Sequence, residues 1–202
     1  MKQYNKDKPD KWGFKDFAIC EAATGYCMYF YPYQGKDQQR PENQSLAEFA
    51  VRAVLQPCFW YSGYLVAMDN WFVCFAGLLF CLSVGVNVVG TLRRGRTGFP
   101  VKSLLEMPAD TARGTIKVLR HSAYSIYCCL WKDNKIVRMV STFDFEFGTC
   151  LRRVKGQGRT KVPLPQPQCI GCYNGGMGGC DLGDQCKAYI RPVIRSVVIT
   201  YI

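Results

Sequence analysis

An α/β fold with strands in mixed directions is predicted by two features of this 202-residue sequence. In the first half, short apolar and aromatic runs alternate with helical patterns in the order hairpin, helix, strand, helix, strand. Residues 114–143 then hold three runs that alternate in polarity with the period of a β-strand. Apolar residues at 49% and aromatics at 14% exclude a chain disordered throughout.

The elements follow in order. Residues 12–20 and 26–33 flank the turn Glu21-Ala22-Ala23-Thr24-Gly25 and predict a β-hairpin. Residues 35–44 are a polar loop. Ser45 is placed to cap a helix, with Glu48 three residues later as a capping box, and the helix stops before Pro57. Residues 63–68 predict a buried strand that Asp69 and Asn70 end. A helix over 73–84 and a strand over 86–91 complete a strand–helix–strand unit. After a basic turn at 95–100, strands are predicted at 114–120, 123–131 and 136–143, the last two joined at Asp133-Asn134. Residues 152–168, basic and Pro-rich, predict a linker or an extended surface segment. A final helix starts near Tyr173 or Met177 and ends at Pro192. The implied organisation is a core over 1–92, a β-rich insertion over 93–150, a basic Pro-rich linker over 151–172, and a C-terminal helix of the core within 173–202.

A net charge of +11 points to an anionic partner, and nucleic acid is the commonest for a basic protein. The candidate phosphate contacts are Arg93, Arg94 and Arg96, then Arg152, Arg153 and Lys155. Twelve cysteines are many, but residues 1–15 show no secretory pattern, so reduced thiols are expected, most of them small buried hydrophobes. The uncharged run 70–92 is long enough to cross a bilayer and is followed by arginines, so a small membrane protein is one alternative. Gly77, Gly85, Asn87 and Gly90 interrupt it and favour a buried helix and strand instead.

Asp69 follows a predicted strand, where a carboxylate can reach a ligand or simply cap the next helix. Asp181 and Asp184, three apart, share one helix face, either as ligands or as a solvated first turn. Cys169 and Cys172, with Cys180 and Cys186, are poorly spaced for zinc. His121, the sole histidine, is placed at a hairpin turn far from them.

Several short segments, in order, carry a family resemblance. They are Lys8-Pro9-Asp10-Lys11-Trp12-Gly13-Phe14-Lys15, Thr24-Gly25-Tyr26, Met68-Asp69-Asn70-Trp71-Phe72, Gly90-Thr91-Leu92-Arg93 and Gly98-Phe99-Pro100. Tyr173-Asn174, Met177-Gly178-Gly179, Asp181, Asp184-Gln185 and Arg191-Pro192 follow. Together they resemble the motifs of piggyBac-type DNA transposase domains. The resemblance implies an RNase H-like fold, cut-and-paste transposition and two divalent ions, Mg²⁺ by expectation. It implies that Asp69 matches the second catalytic acid, Asp181 the third, and Asp184 the acid beside it. The family's first catalytic Asp lies on a strand upstream of the matching segment, and Asp7 and Asp10 fall in the connecting loop. The expectation is therefore a sheet lacking its first strand and a remnant acid set, Asp69, Asp181 and Asp184, inactive alone and impaired in metal binding. A domesticated DNA-binding or chromatin-associated relic is the second reading. DNA, a homodimer or a related full-length transposase, and a nuclear location are the implied partners and site.

Overall fold

The computed structural model describes residues 3–4, 6, 11–13, 15–33, 35, 40–100, 106–153 and 160–189. A two-residue antiparallel bridge joins β1 (Gln3–Tyr4) to β2 (Trp12–Gly13). The predicted hairpin is β3 (Asp16–Cys20) and β4 (Cys27–Pro32), with Phe17 opposite Tyr31 and Ala18 opposite Phe30. Gly25 turns it at φ 73°, where its N–H donates to Glu21 O at 3.0 Å.

Helix α1 (Leu46–Val54) starts as its sequence requires. Ser45 Oγ accepts from the Glu48 N–H at 3.1 Å. The Glu48 carboxylate, expected to reach back to the cap, instead takes Arg52 Nε at 3.0 Å and Gln44 Nε2 at 3.3 Å. After the short 3₁₀ turn Pro57–Phe59 come β5 (Leu65–Met68), α2 (Phe75–Ser83) and β6 (Asn87–Thr91), with β6 parallel to β5. The end of α2 is a Schellman motif: Val86 N–H reaches Cys81 O at 2.9 Å and Gly85 N–H reaches Leu82 O at 3.2 Å, with Gly85 at φ 67°. That turn divides the uncharged run into a nine-residue helix and a strand. Among the described residues no helix is long and apolar enough to cross a membrane.

The next strands are β7 (Ile116–Arg120), β8 (Tyr127–Lys132) and β9 (Ile136–Ser141). They do not form a separate block. β9 pairs with β6, Gly90 opposite Val140, so all five make one sheet in the order β5-β6-β9-β8-β7. Residues 151–153 and 161–172 of the segment expected as a linker are regular structure. β10 (Phe147–Arg153) and β11 (Lys161–Pro167) form an antiparallel ribbon, and α3 (Gln168–Gly176) follows at once, ahead of α4 (Gly179–Tyr189). Its prolines are tolerated because, among the described residues, β11 has a single ladder partner, β10.

Both faces of the five-stranded sheet are covered, which explains its nearly uninterrupted apolar strands. Successive residues point to opposite sides. Val88, Cys128, Leu130 and Val140 pack with Val51 of α1, with Leu55 just after it, and with Leu78 and Cys81 of α2. Val89, Cys129, Trp131 and Met139 pack with Cys169, Ile170 and Tyr173 of α3. The fully buried Trp131 also donates from Nε1 to Pro165 O at 2.7 Å, fastening β11 to the sheet. The hairpin packs separately on α1 through Phe17, Ala50 and Val54.

Candidate functional site

Asp69 ends β5. Its carbonyl accepts from the N–H of Phe72 at 3.0 Å and of Val73 at 3.3 Å, closing a tight turn. Its carboxylate folds onto the neighbouring residue, taking Asn70 N–H at 2.6 Å and Asn70 Nδ2 at 3.1 Å, and it remains exposed. It does not cap α2, whose N-cap is Cys74 with no side-chain bond.

Two cations hold this turn. Arg96 donates from Nε to Val73 O at 2.6 Å and from Nη2 to Trp71 O at 2.6 Å and Asn70 O at 3.2 Å. From the other side the Lys15 ammonium lies 4.6 Å from the Trp71 ring centroid, 5.2 Å from Phe17 and 5.3 Å from Tyr33. Gly90 lets β6 pass close by: a Cβ there would stand 2.6 Å from Val73 Cγ2 and 2.8 Å from Met68 O.

The C-terminal ends of the parallel pair β5 and β6 open into a cleft of about 510 Å³ lined by Asn70, Thr91, Leu92, Arg93, Ile136, Val137 and Arg138. Ligands gather at this end of parallel strands in open α/β sheets. Arg93 is exposed there, and the Thr91 hydroxyl is buried without a hydrogen-bond partner. Arg138 had no signal in the sequence, because it reaches the cleft only through the non-local pairing of β9 with β6.

The other basic positions have different employments. Arg94 pairs with Glu106. Arg152 lies over the Trp131 ring at 5.6 Å and approaches Asp133 Oδ2 at 3.3 Å. Arg113 donates to the same Asp133 at 2.8 Å. Arg153 is exposed at the end of the ribbon, opposite Lys161. Lys155, Asp7, Asp10, and Arg191-Pro192 lie outside the described residues.

Asp181 and Asp184 sit on α4, both exposed, with Asp181 in the first turn. This helix docks on the hairpin turn through glycines. A Cβ at Gly179 would stand 2.7 Å from Glu21 O, and one at Gly183 would stand 2.7 Å from Gly25 O. Cys180 Sγ donates to Ala18 O at 3.9 Å. Nothing in the structure explains Gly175, whose surroundings are open. Preceding it in the chain, α3 crosses β5, where Gly176 meets Ala67 two residues before Asp69.

Among the described residues no three His, Cys, Asp or Glu side chains form a group able to hold a metal ion. Asp69 follows β5, and Asp181 and Asp184 belong to α4, so the three carboxylates stand on two separate elements. The cysteines meet no better as a zinc site. Cys169 is buried while Cys180 and Cys186 are exposed. His121 stacks with Phe75 and Tyr124, at 5.5 and 5.0 Å between ring centroids.

Comparison with known proteins supplies the lineage. The family model described as transposase IS4 matches residues 1–198. The human piggyBac transposable element-derived protein 3 is 30% identical over 203 aligned positions, covering 96% of this chain and 33% of that protein. The human piggyBac transposable element-derived protein 2 is 26% identical, covering 97% of this chain and 34% of that protein. A solved structure of a piggyBac transposase synaptic complex with hairpin DNA superposes with a TM-score of 0.73 at 24% identity, over 93% of this chain and 36% of that one. The chain thus spans about a third of the length of the relatives it matches. It belongs to the IS4 transposase family, as a transposable element-derived domain of the piggyBac type.

Proposed function

We infer that this domain binds the phosphate backbone of DNA at the cleft beyond β5 and β6, with Arg93 as the principal contact, and does not cleave DNA alone. The supporting observation is the exposed Arg93 guanidinium at the rim of a strand-end cleft, in a chain of net charge +11. The similarity to a transposase held in complex with hairpin DNA points the same way. Arg153 and Lys161 at the ribbon tip form a second basic point, two exposed like charges in register. The placement of the acids supports the reading without autonomous cleavage. Asp69 is engaged with Asn70 while Asp181 and Asp184 sit on the helix that packs on the hairpin, and two-metal phosphoryl chemistry needs carboxylates converging on shared ions.

The fold reading behind this is an RNase H-like sheet with a strand position left open. Among the described residues, β3 pairs only with β4 and β5 only with β6, so each presents one unpaired edge. Consecutive helices contact the two strands, α3 against β5 and α4 against β3. This is the arrangement expected if a strand bearing the family's first acid belongs between them. A nuclear location is part of the same proposal.

The test is fluorescence anisotropy with a labelled duplex over a salt series. Binding should weaken linearly in log–log form, and Arg93→Ala should lower the magnitude of the slope by about one. Binding that is undetectable at low salt, or a slope that Arg93→Ala leaves unchanged, would reject the cleft as the phosphate site.

A further inference from the structure

Four cysteines gather on the α3 face of the sheet. Cys129 and Cys169 are buried, and Cys150 and Cys172 are half-buried around the same cluster. Cys129 of β8 and Cys169 of α3 touch, with their Sγ atoms 3.6 Å apart. The adjacent Cys128 faces the opposite side of the sheet.

The pair is polarised by its position. Cys169 is the second residue of α3, and the N-cap, Pro167, offers no side-chain bond to the helix end. The hydrogen bond shared with Cys129 holds the Cys169 thiol below its ordinary range. Burial opposes this, and backbone N–H groups of the first turn assist. Cys129 is pushed up, first by its bond to Cys169 and then by burial. Its place in the first turn of α3 favours Cys169 as the attacking sulfur, with Cys129 in contact as the second.

We propose that Cys129 and Cys169 are a redox-active thiol pair, which a small disulfide of the glutathione class oxidises to a disulfide bond stapling α3 to β8. The Cys169 thiolate attacks one sulfur of the small disulfide and expels the first small thiolate. Cys129 then gives its proton to that thiolate and attacks Cys169 Sγ, expelling the second half as a thiolate that takes a proton from water. The protein loses two protons, the one from Cys169 to water as its thiolate forms and the one from Cys129 to the first leaving thiolate, together with two electrons, and one small disulfide becomes two small thiols. Both sulfurs are buried, so attack waits on opening of the first turn of α3, and the exposed Cys58, Cys180 and Cys186 react first. The consequence falls on the helix pair that carries Asp181 and Asp184, whose starting point on the sheet becomes covalent. This inference does not depend on DNA binding.

The folded protein is incubated with oxidised glutathione, remaining thiols are alkylated in denaturant, and unreduced peptides are sequenced by tandem mass spectrometry. A cross-link between residues 129 and 169 is expected. It should vanish on dithiothreitol treatment and in Cys129→Ala and Cys169→Ala, and survive in Cys128→Ala. Fragmentation of the wild-type peptides decides the matter even if a variant fails to fold. Recovery of Cys129 and Cys169 as separately alkylated or separately glutathionylated residues overturns the proposal. A bond from either to Cys128, Cys150 or Cys172 overturns it equally.

Discussion

Replacing Arg96 by Ala removes the guanidinium that spans the turn after Asp69. Three carbonyls lose a charged donor: Val73 and Trp71, each bonded at 2.6 Å, and Asn70 at 3.2 Å. Hydrogen bonds from charged groups contribute about 1.5–3 kcal/mol in protected sites. The Asn70 carbonyl belongs to an exposed residue and water replaces Arg96 there. Val73 is fully buried, so its carbonyl is the group least able to find a substitute. The net loss is therefore about 3 kcal/mol. Urea unfolding should show it as a lower midpoint at unchanged slope. Arg96→Lys should recover less than half, because an ammonium lacks the planar fork that reaches several carbonyls at once. Arg94→Ala, which breaks only the exposed pair with Glu106, should cost under about 1 kcal/mol. A loss below about 0.5 kcal/mol for Arg96→Ala, or equal losses for Arg94 and Arg96, would refute the clamp.

Gly90→Ala should destabilise by about 1–3 kcal/mol in thermal melts, because its Cβ would collide with Val73 and the Met68 carbonyl. Gly183→Ala should loosen α4 from the hairpin, read as faster hydrogen exchange in α4, because its Cβ would strike Gly25 O. Stability should fall as pH rises above about 9. Burial pushes the thiols of Cys81 and Cys128 to about 12, so the folded chain keeps protons that the unfolded chain sheds from about 9 upward. Each thiol adds a slope of roughly 1.4 kcal/mol per pH unit within that window, and Cys128→Val should flatten the profile by one such share.

Local chemistry made most of the fold legible. Ser45 announced α1, Gly85 and the apolar pattern before it announced the end of α2, and the turn at Asp133-Asn134 announced β8 and β9. What stayed hidden was pairing at a distance. Nothing local in Met139-Val140-Ser141 says that it joins β6 rather than a separate block. The prolines at 163, 165 and 167 read as a linker because their tolerance in β11 depends on its pairing, among the described residues, with β10 alone. The candidate site divides the same way. Asp69 was found at its strand end. The role of Arg96 was not, because a basic turn shows no sign of which carbonyls it will grip. The convergence of Asp69 with Asp181 and Asp184 is suggested by a strand-end and a helix-face position together with the family resemblance, and no local pattern fixes the distance between those two elements.

The most direct measurement is an end-labelled duplex incubated with the protein, with Mg²⁺ or with chelator, and resolved on native and denaturing gels. The expected result is a shifted band that is the same with and without Mg²⁺, and no nicked strand. Nicking that requires Mg²⁺ and disappears in Asp69→Asn would contradict it, since the acids would then meet around a metal after all.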